Sequence, residues 1–235
     1  WVVTSFLLAS AAFLLPFGRL ADMSGRRRVF RWGLGLFSVS SILCGLAPSI
    51  NVLLVFRCLQ GMGGAMMFAT GMAIVTASFP VHMRGRVLGI NSATVYIGLA
   101  LGPVLGGFLT HWLGWRSIFL LTSSLVLPLV FAAGRWIPND SRRLEFDHYD
   151  LPGALLITLS LILLTYGCSN LTRSAAGPWI LAAGAVLLFL FVRQEMRSPS
   201  PILDLKLIAG NKVFAFSNLA ALINYCATYA VNYLL

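Results

Sequence analysis

Residues 18–29 read GRLADMSGRRRV, and the stretches flanking them, residues 1–17 and 29–47, are almost wholly apolar. Each flank is long enough to cross roughly 30 Å of hydrocarbon at about 1.5 Å per residue. A short polar segment between two such stretches has to lie at a membrane face. Arginine is costly in hydrocarbon and collects on the cytoplasmic side, so Arg19, Arg26, Arg27, Arg28 and Arg31 place the segment inside the cell. Its other residues point to a shaped inter-helix loop. Asp22 or Ser24 is expected to cap the helix that follows, and Gly18 and Gly25 to permit the turn.

The remainder of the 235-residue chain has the same character. It is 58% hydrophobic and only 10% charged, the profile of a chain dissolved in lipid. Its net charge of +10 does not indicate nucleic acid, because the basic residues sit in short segments between apolar runs and not on the face of a domain. Cys44, Cys58, Cys168 and Cys226 lie inside apolar runs without metal-ligand spacing, and are read as small buried hydrophobes. Six further spans are expected at residues 52–79, 87–112, 117–137, 151–170, 179–192 and 213–235, giving an all-α polytopic membrane protein of about eight transmembrane helices.

Charge tests this topology. With residues 18–29 inside, Arg84, Arg86, Arg135, Arg142, Arg143, Arg193, Arg197, Lys206 and Lys212 also fall inside, and only Arg116 and Arg173 fall outside. The first residue, Trp1, then starts outside with no signal peptide before it, and the chain is expected to be an internal part of a larger membrane protein.

Two further segments carry chemistry. In LLVFRCLQGMGGAM, Arg57 is the one formal charge well inside an expected span. An intramembrane ion needs a partner or a wet cavity, unless it snorkels to the headgroups. Gln60 follows on nearly the same face, and Gly61, Gly63 and Gly64 thin the helix for close packing. In GLALGPVLGG, Gly98, Gly102 and Gly106 recur every four residues and lay a groove along one helix face. Pro103 removes a backbone donor in the middle of that groove and should kink the helix, and Gly107 doubles the last glycine.

These three blocks together resemble the major facilitator superfamily, over nearly the whole chain. GRLADMSGRRRV is similar to the superfamily's signature loop between its second and third helices, RCLQGMGGA to its fourth-helix motif, and GLALGPVLGG with GWRSIF to the fifth-helix antiporter motif. Residues 151–170 and 179–192 resemble the two extra helices of the fourteen-helix drug:proton antiporter branch. The resemblance implies an incomplete helical bundle. Residues 1–137 would be an N-terminal six-helix bundle lacking its first helix, 138–150 a cytoplasmic linker, 151–192 two central helices, 193–212 a cytoplasmic loop, and 213–235 the first helix of the second half.

It also implies roles. Gly18, Asp22, Gly25 and Arg26 match the latch that closes the cytoplasmic side between the two halves. Arg57, with Gln60 and Gly61, matches the motif linked to proton coupling, and Gly98, Gly102, Pro103, Gly106 and Gly107 match the antiporter hinge. Met23 departs from the pattern, standing where a basic residue is common. The implied function is proton-driven efflux of drugs or other amphipathic small molecules by alternating access, without cofactor or metal and powered by the proton gradient. The implied partners are the lipid bilayer, a small-molecule substrate and the proton, with a periplasmic adaptor and an outer-membrane channel as further candidates, and the implied location is the bacterial cytoplasmic (inner) membrane.

The residues themselves leave alternatives open. All seven acids, Asp22, Asp140, Glu145, Asp147, Asp150, Glu195 and Asp204, fall in expected loops, so a proton acceptor is expected outside this chain. Asn224, Thr228 and Asn232 share one face of the last helix beside Tyr225, Tyr229 and Tyr233. That stripe and a second patch around Asn91 would line a cavity, or, for the tyrosines, an interfacial belt. An uptake symporter or metabolite exporter of the same fold is the main rival. A membrane-embedded enzyme lacks a catalytic constellation at membrane depth, and a channel lacks a ring of repeated pore residues.

Overall fold

The structure is a computed structural model that describes residues 1–137, 149–171, 174–198, 200–203 and 210–234, with side chains described as far as residue 227. It contains eight helices among the described residues: α1 (Val2–Ser24), α2 (Arg26–Gly45), α3 (Ile50–Ser78), α4 (Val81–Leu113), α5 (Arg116–Trp136), α6 (Leu151–Ser169), α7 (Gly177–Glu195) and α8 (Lys212–Leu234). Six of them are long and apolar enough to cross a membrane. The expected linker at 138–150 falls mostly outside the described residues.

The helices run past the expected spans at their polar ends. α1 continues to Ser24, α2 begins at Arg26, α4 begins at Val81 and α7 reaches Glu195. A helix has no reason to stop at the edge of the hydrocarbon, because its backbone hydrogen bonds are internal in water and in lipid alike. The segment at 18–29 is consequently not a loop. It is helix on both sides of one break at Gly25.

α3 is the centre of the assembly. It packs on α1 and on α2, α2 also carries α5, and α1 carries α6, which pairs with α7. Lipid tails are as apolar as leucine, so membrane helices associate through close backbone approach and not through removal of apolar surface from water. Glycine supplies that approach here. A methyl group at Gly61 would lie 2.5 Å from the Phe6 carbonyl oxygen, and one at Gly63 would lie 2.7 Å from the Phe37 backbone nitrogen. The same device joins α6 to α7, where a methyl at Gly167 would lie 2.7 Å from the Leu181 nitrogen and one at Gly184 would lie 2.8 Å from the Leu164 nitrogen. Serines complete these seams: Ser10 Oγ donates to the Gly61 carbonyl at 3.0 Å, Ser123 Oγ to Ser38 at 3.0 Å and Ser160 Oγ to Gly184 at 3.0 Å.

Other expectations change. Cys44 is buried, whereas Cys58, Cys168 and Cys226 are exposed on helix surfaces. A helix that is apolar all round does not disclose which face packs inward. Among the described residues α4 packs chiefly on α3 and α5 and has no buried residue. Beside Gly98, Gly102, Gly106 and Gly107 a methyl group would meet nothing within 4 Å, so the expected groove is open among the described residues. Pro103 sits inside one continuous helix, which its missing donor does not interrupt.

Substitutions at the α2–α3 crossing test this packing. Gly63→Val should drive a side chain into the α2 backbone and cost about 1–3 kcal/mol or more, whereas Gly35→Ala, where nothing lies within 4 Å, should be tolerated. Thermal unfolding of the two variants in detergent should separate them, with a lowered transition for Gly63→Val alone.

Candidate functional site

α3 starts at Ser49, whose hydroxyl accepts a weak capping bond from the Val52 N–H at 3.4 Å. Arg57 lies about 12 Å further along the helix axis. It is half-buried and held by two hydrogen bonds among the described residues. Its Nε donates to the Val2 carbonyl of α1 at 2.8 Å, and its Nη1 donates to Gln60 Oε1 at 2.6 Å. Gln60, only 2% exposed, donates from Nε2 to Ser41 Oγ at 2.6 Å, and Ser41 Oγ donates to the Phe37 carbonyl at 2.7 Å. The Phe6 and Phe119 rings lie 4.7 and 5.6 Å from the guanidinium carbon.

Four helices thus hold one cation with neutral groups. Arginine only donates, so Gln60 must present its oxygen to it and its amide N–H to Ser41, and each link in the chain sets the next. The ring faces add about 0.5–2 kcal/mol of cation–π attraction. Among the described residues no carboxylate pairs with Arg57, so its positive charge is solvated without being neutralised.

The second set of residues lies at the arginine-rich end. Gly25 has φ 101 and ψ 124, a left-handed conformation that side chains disfavour, and it lets α1 pass into α2 across one residue. Asp22 Oδ1 accepts from Arg26 Nε at 3.0 Å and from Nη2 at 2.9 Å, so a forked ion pair straddles the break. Neither expected cap forms. Asp22 belongs to the last turn of α1 and is held by Arg26, and Ser24 Oγ turns back to donate to the Leu20 carbonyl at 2.6 Å. Gly18 is helical, and a methyl there would make ordinary contact with Ala69 Cβ at 3.8 Å, so it does not form the turn.

Two contacts at this end have no mark in the sequence. Arg27 Nη2 donates to the Gly134 carbonyl, one of the last four of α5 that no helix amide can satisfy, and the Arg31 guanidinium lies against the same glycine. The arginines therefore fasten α5 as well as marking a membrane face. At the other end Arg116 Nη2 donates to the Ala47 carbonyl at 3.3 Å, tying α5 to the end of α2.

The expected cavity residues are not gathered with these groups. Asn91 is half-buried on α4, Tyr225 is exposed on α8 beside Asn224, and Thr228 and Asn232 lie outside the residues whose side chains are described. α8 stands largely apart from the other described helices.

A polytopic all-α membrane protein, closed by glycine crossings around an intramembrane arginine, is the class this arrangement defines. The family model for the Major Facilitator Superfamily matches residues 1–235, and the chain belongs to that superfamily. It is 32% identical over 237 residues to the riboflavin transporter RibZ of Clostridioides difficile, covering 100% of this chain and 51% of that protein. It is 39% identical over 230 residues to the cephamycin export protein CmcT of Amycolatopsis lactamdurans, with 95% and 47% covered, and 38% identical over 218 residues to the multidrug resistance protein Stp of Mycobacterium tuberculosis, with 88% and 39% covered. The chain spans about half the length of the curated relatives it matches.

The relay gives a clear expectation for stability. Ser41→Ala leaves the buried Gln60 amide without its acceptor and should cost about 1–3 kcal/mol. Asp22→Asn breaks only a partly exposed pair and should cost less than about 1 kcal/mol. Melting curves of the two purified variants should therefore differ, with Ser41→Ala the less stable.

Proposed function

We propose that this chain is the greater part of the first half, with the inserted helix pair, of a proton-driven exporter of drugs or other amphipathic small molecules in the bacterial cytoplasmic membrane. The observation that carries the reading is the Arg57 cradle. Charged side chains in spans are expensive and mark ion or substrate pathways. A cradle of neutral partners keeps the full positive charge, and such a charge lowers the proton affinity of any carboxylate brought near it. That is the behaviour coupling needs, since protonation and substrate must bias the two access states differently.

The other residues take roles in the same cycle. The Asp22–Arg26 pair bridges the Gly25 pivot and is a bond that a change in the α1–α2 angle would make or break, which suits a latch. Gly98, Gly102, Pro103, Gly106 and Gly107 would seat α4 against a moving neighbour, and Asn91, Asn224, Tyr225, Thr228 and Asn232 would line the path. Rocking of two bundles about a midplane site is the motion expected of such carriers. A periplasmic adaptor and an outer-membrane channel would extend the route where a second membrane exists.

One observation favours a second reading. A relative that covers the whole chain is named a riboflavin transporter, which supports a carrier for a single metabolite. Transport decides between them. Arg57→Ala should still reach the membrane yet lose gradient-driven efflux of a panel of fluorescent amphipathic dyes in everted vesicles. Full efflux by that variant would remove Arg57 from coupling, and transport of one flavin with none of the dyes would favour the metabolite carrier.

A further inference from the structure

Away from the Arg57 cradle, α6 is fastened to α1 along its whole length. The Trp1 and Tyr166 rings are 5.8 Å apart at one end, Thr158 Oγ1 donates to the Ala12 carbonyl at 3.1 Å midway, and the Tyr149 hydroxyl donates to the Pro16 carbonyl at 3.2 Å at the arginine-rich end. Two acids close that end. Asp150 caps α6, its Oδ1 accepting from the Gly153 N–H at 2.8 Å, and Glu195 ends α7, its Oε1 accepting from the Leu203 N–H. The sequence places both in loops, but they are 8% and 3% exposed.

Each acid has a buried oxygen, Asp150 Oδ2 and Glu195 Oε2, with no hydrogen-bond partner. Glu195 lies within electrostatic reach of Asp150 on α6 and of Arg19 on α1, and the segment 200–203 that covers it carries no titratable side chain. Asp150 sits at the N-terminus of α6, where its carboxylate caps the Gly153 amide. Glu195 sits at a helix C-terminus, where the dipole opposes a negative charge. A buried carboxylate with one oxygen left unpartnered beside a second carboxylate is unfavourable, and one bound proton relieves both the desolvation and the repulsion.

We propose that Asp150 and Glu195 form a proton-binding site at the arginine-rich end of the α6–α7 pair, cytoplasmic by the positive-inside rule, with the proton on Glu195. Arg19 and Tyr149 face the site from α1 and from the start of α6. Burial and the Asp150 carboxylate push the Tyr149 phenol up, so it remains the donor that ties α6 to Pro16. The seated pair binds the proton, and a hydrated Glu195 in an unseated pair releases it. Seating is therefore favoured at low cytoplasmic pH and weakens as pH rises.

The test uses the intact protein reconstituted in lipid without substrate or gradient, so its outcome is independent of the transport reading. Infrared spectra across a pH titration should show a protonated-carboxyl band that persists above the ordinary glutamate range and disappears in Glu195→Gln. Asp150→Asn, which keeps the cap to Gly153, should let that band titrate away at lower pH than in the wild type. Thermal stability of the wild type should fall as pH rises above the ordinary glutamate range, and Glu195→Gln should abolish that fall. A carboxyl band unchanged by Glu195→Gln, or a titration unmoved by Asp150→Asn, would overturn the proposal.

Discussion

A guanidinium placed inside a membrane has to be given hydrogen-bond acceptors by its own protein, and this requirement ties the bundle together. Arg57 reaches the Val2 carbonyl because α1 lies against α3, and α1 lies against α3 because Gly61 leaves room for the Phe6 carbonyl. Gln60 reaches Ser41 because α2 meets α3 at Gly33 and Gly63. The glycines and the arginine are thus two halves of one constraint. Filling a glycine crossing with a side chain would separate the cation from its acceptors, and an unsatisfied polar group in hydrocarbon costs several kcal/mol.

Much of this was legible in the chain itself. The spans follow from apolar length, and Arg57 stands out as a charge within one of them. Gly61 and Gly63 announce close approach. What could not be read depends on groups far apart in sequence. The Arg27 contact with Gly134 joins residues 107 positions apart, and no local pattern marks a carbonyl at the end of α5 as needing a donor. Asp22 and Ser24 have the right identities for caps, but helix propagation up to Gly25 puts both inside α1 and redirects their side chains. Asp150 and Glu195 look like loop residues because they flank apolar runs, and only the packing of α6 on α1 and of α7 on α6 buries them.

The two ends of the molecule then have different physical characters. Near Arg57 a single charge is solvated by neutral groups and rings, a stiff arrangement in which each donor fixes the next acceptor. At the arginine-rich end, Gly25 supplies a one-residue pivot, the Asp22–Arg26 fork spans it, and Asp150 and Glu195 close the seam between α1 and the α6–α7 pair. A partly exposed ion pair is weak, so the one at this pivot can be exchanged at little cost. In the proposed carrier these would serve as a fixed charge and a movable gate. The faces of α4 and α8 stay open among the described residues.

Coupling of export to protons is the central claim, and it is tested most directly in everted membrane vesicles holding a preformed, inside-acid proton gradient. The account predicts that adding a transported amphipathic dye to wild-type vesicles releases protons and partly collapses the gradient, with no such release when the dye meets vesicles lacking the protein. Dye movement that leaves the gradient intact, or that carries protons in the same direction as the dye, would contradict it.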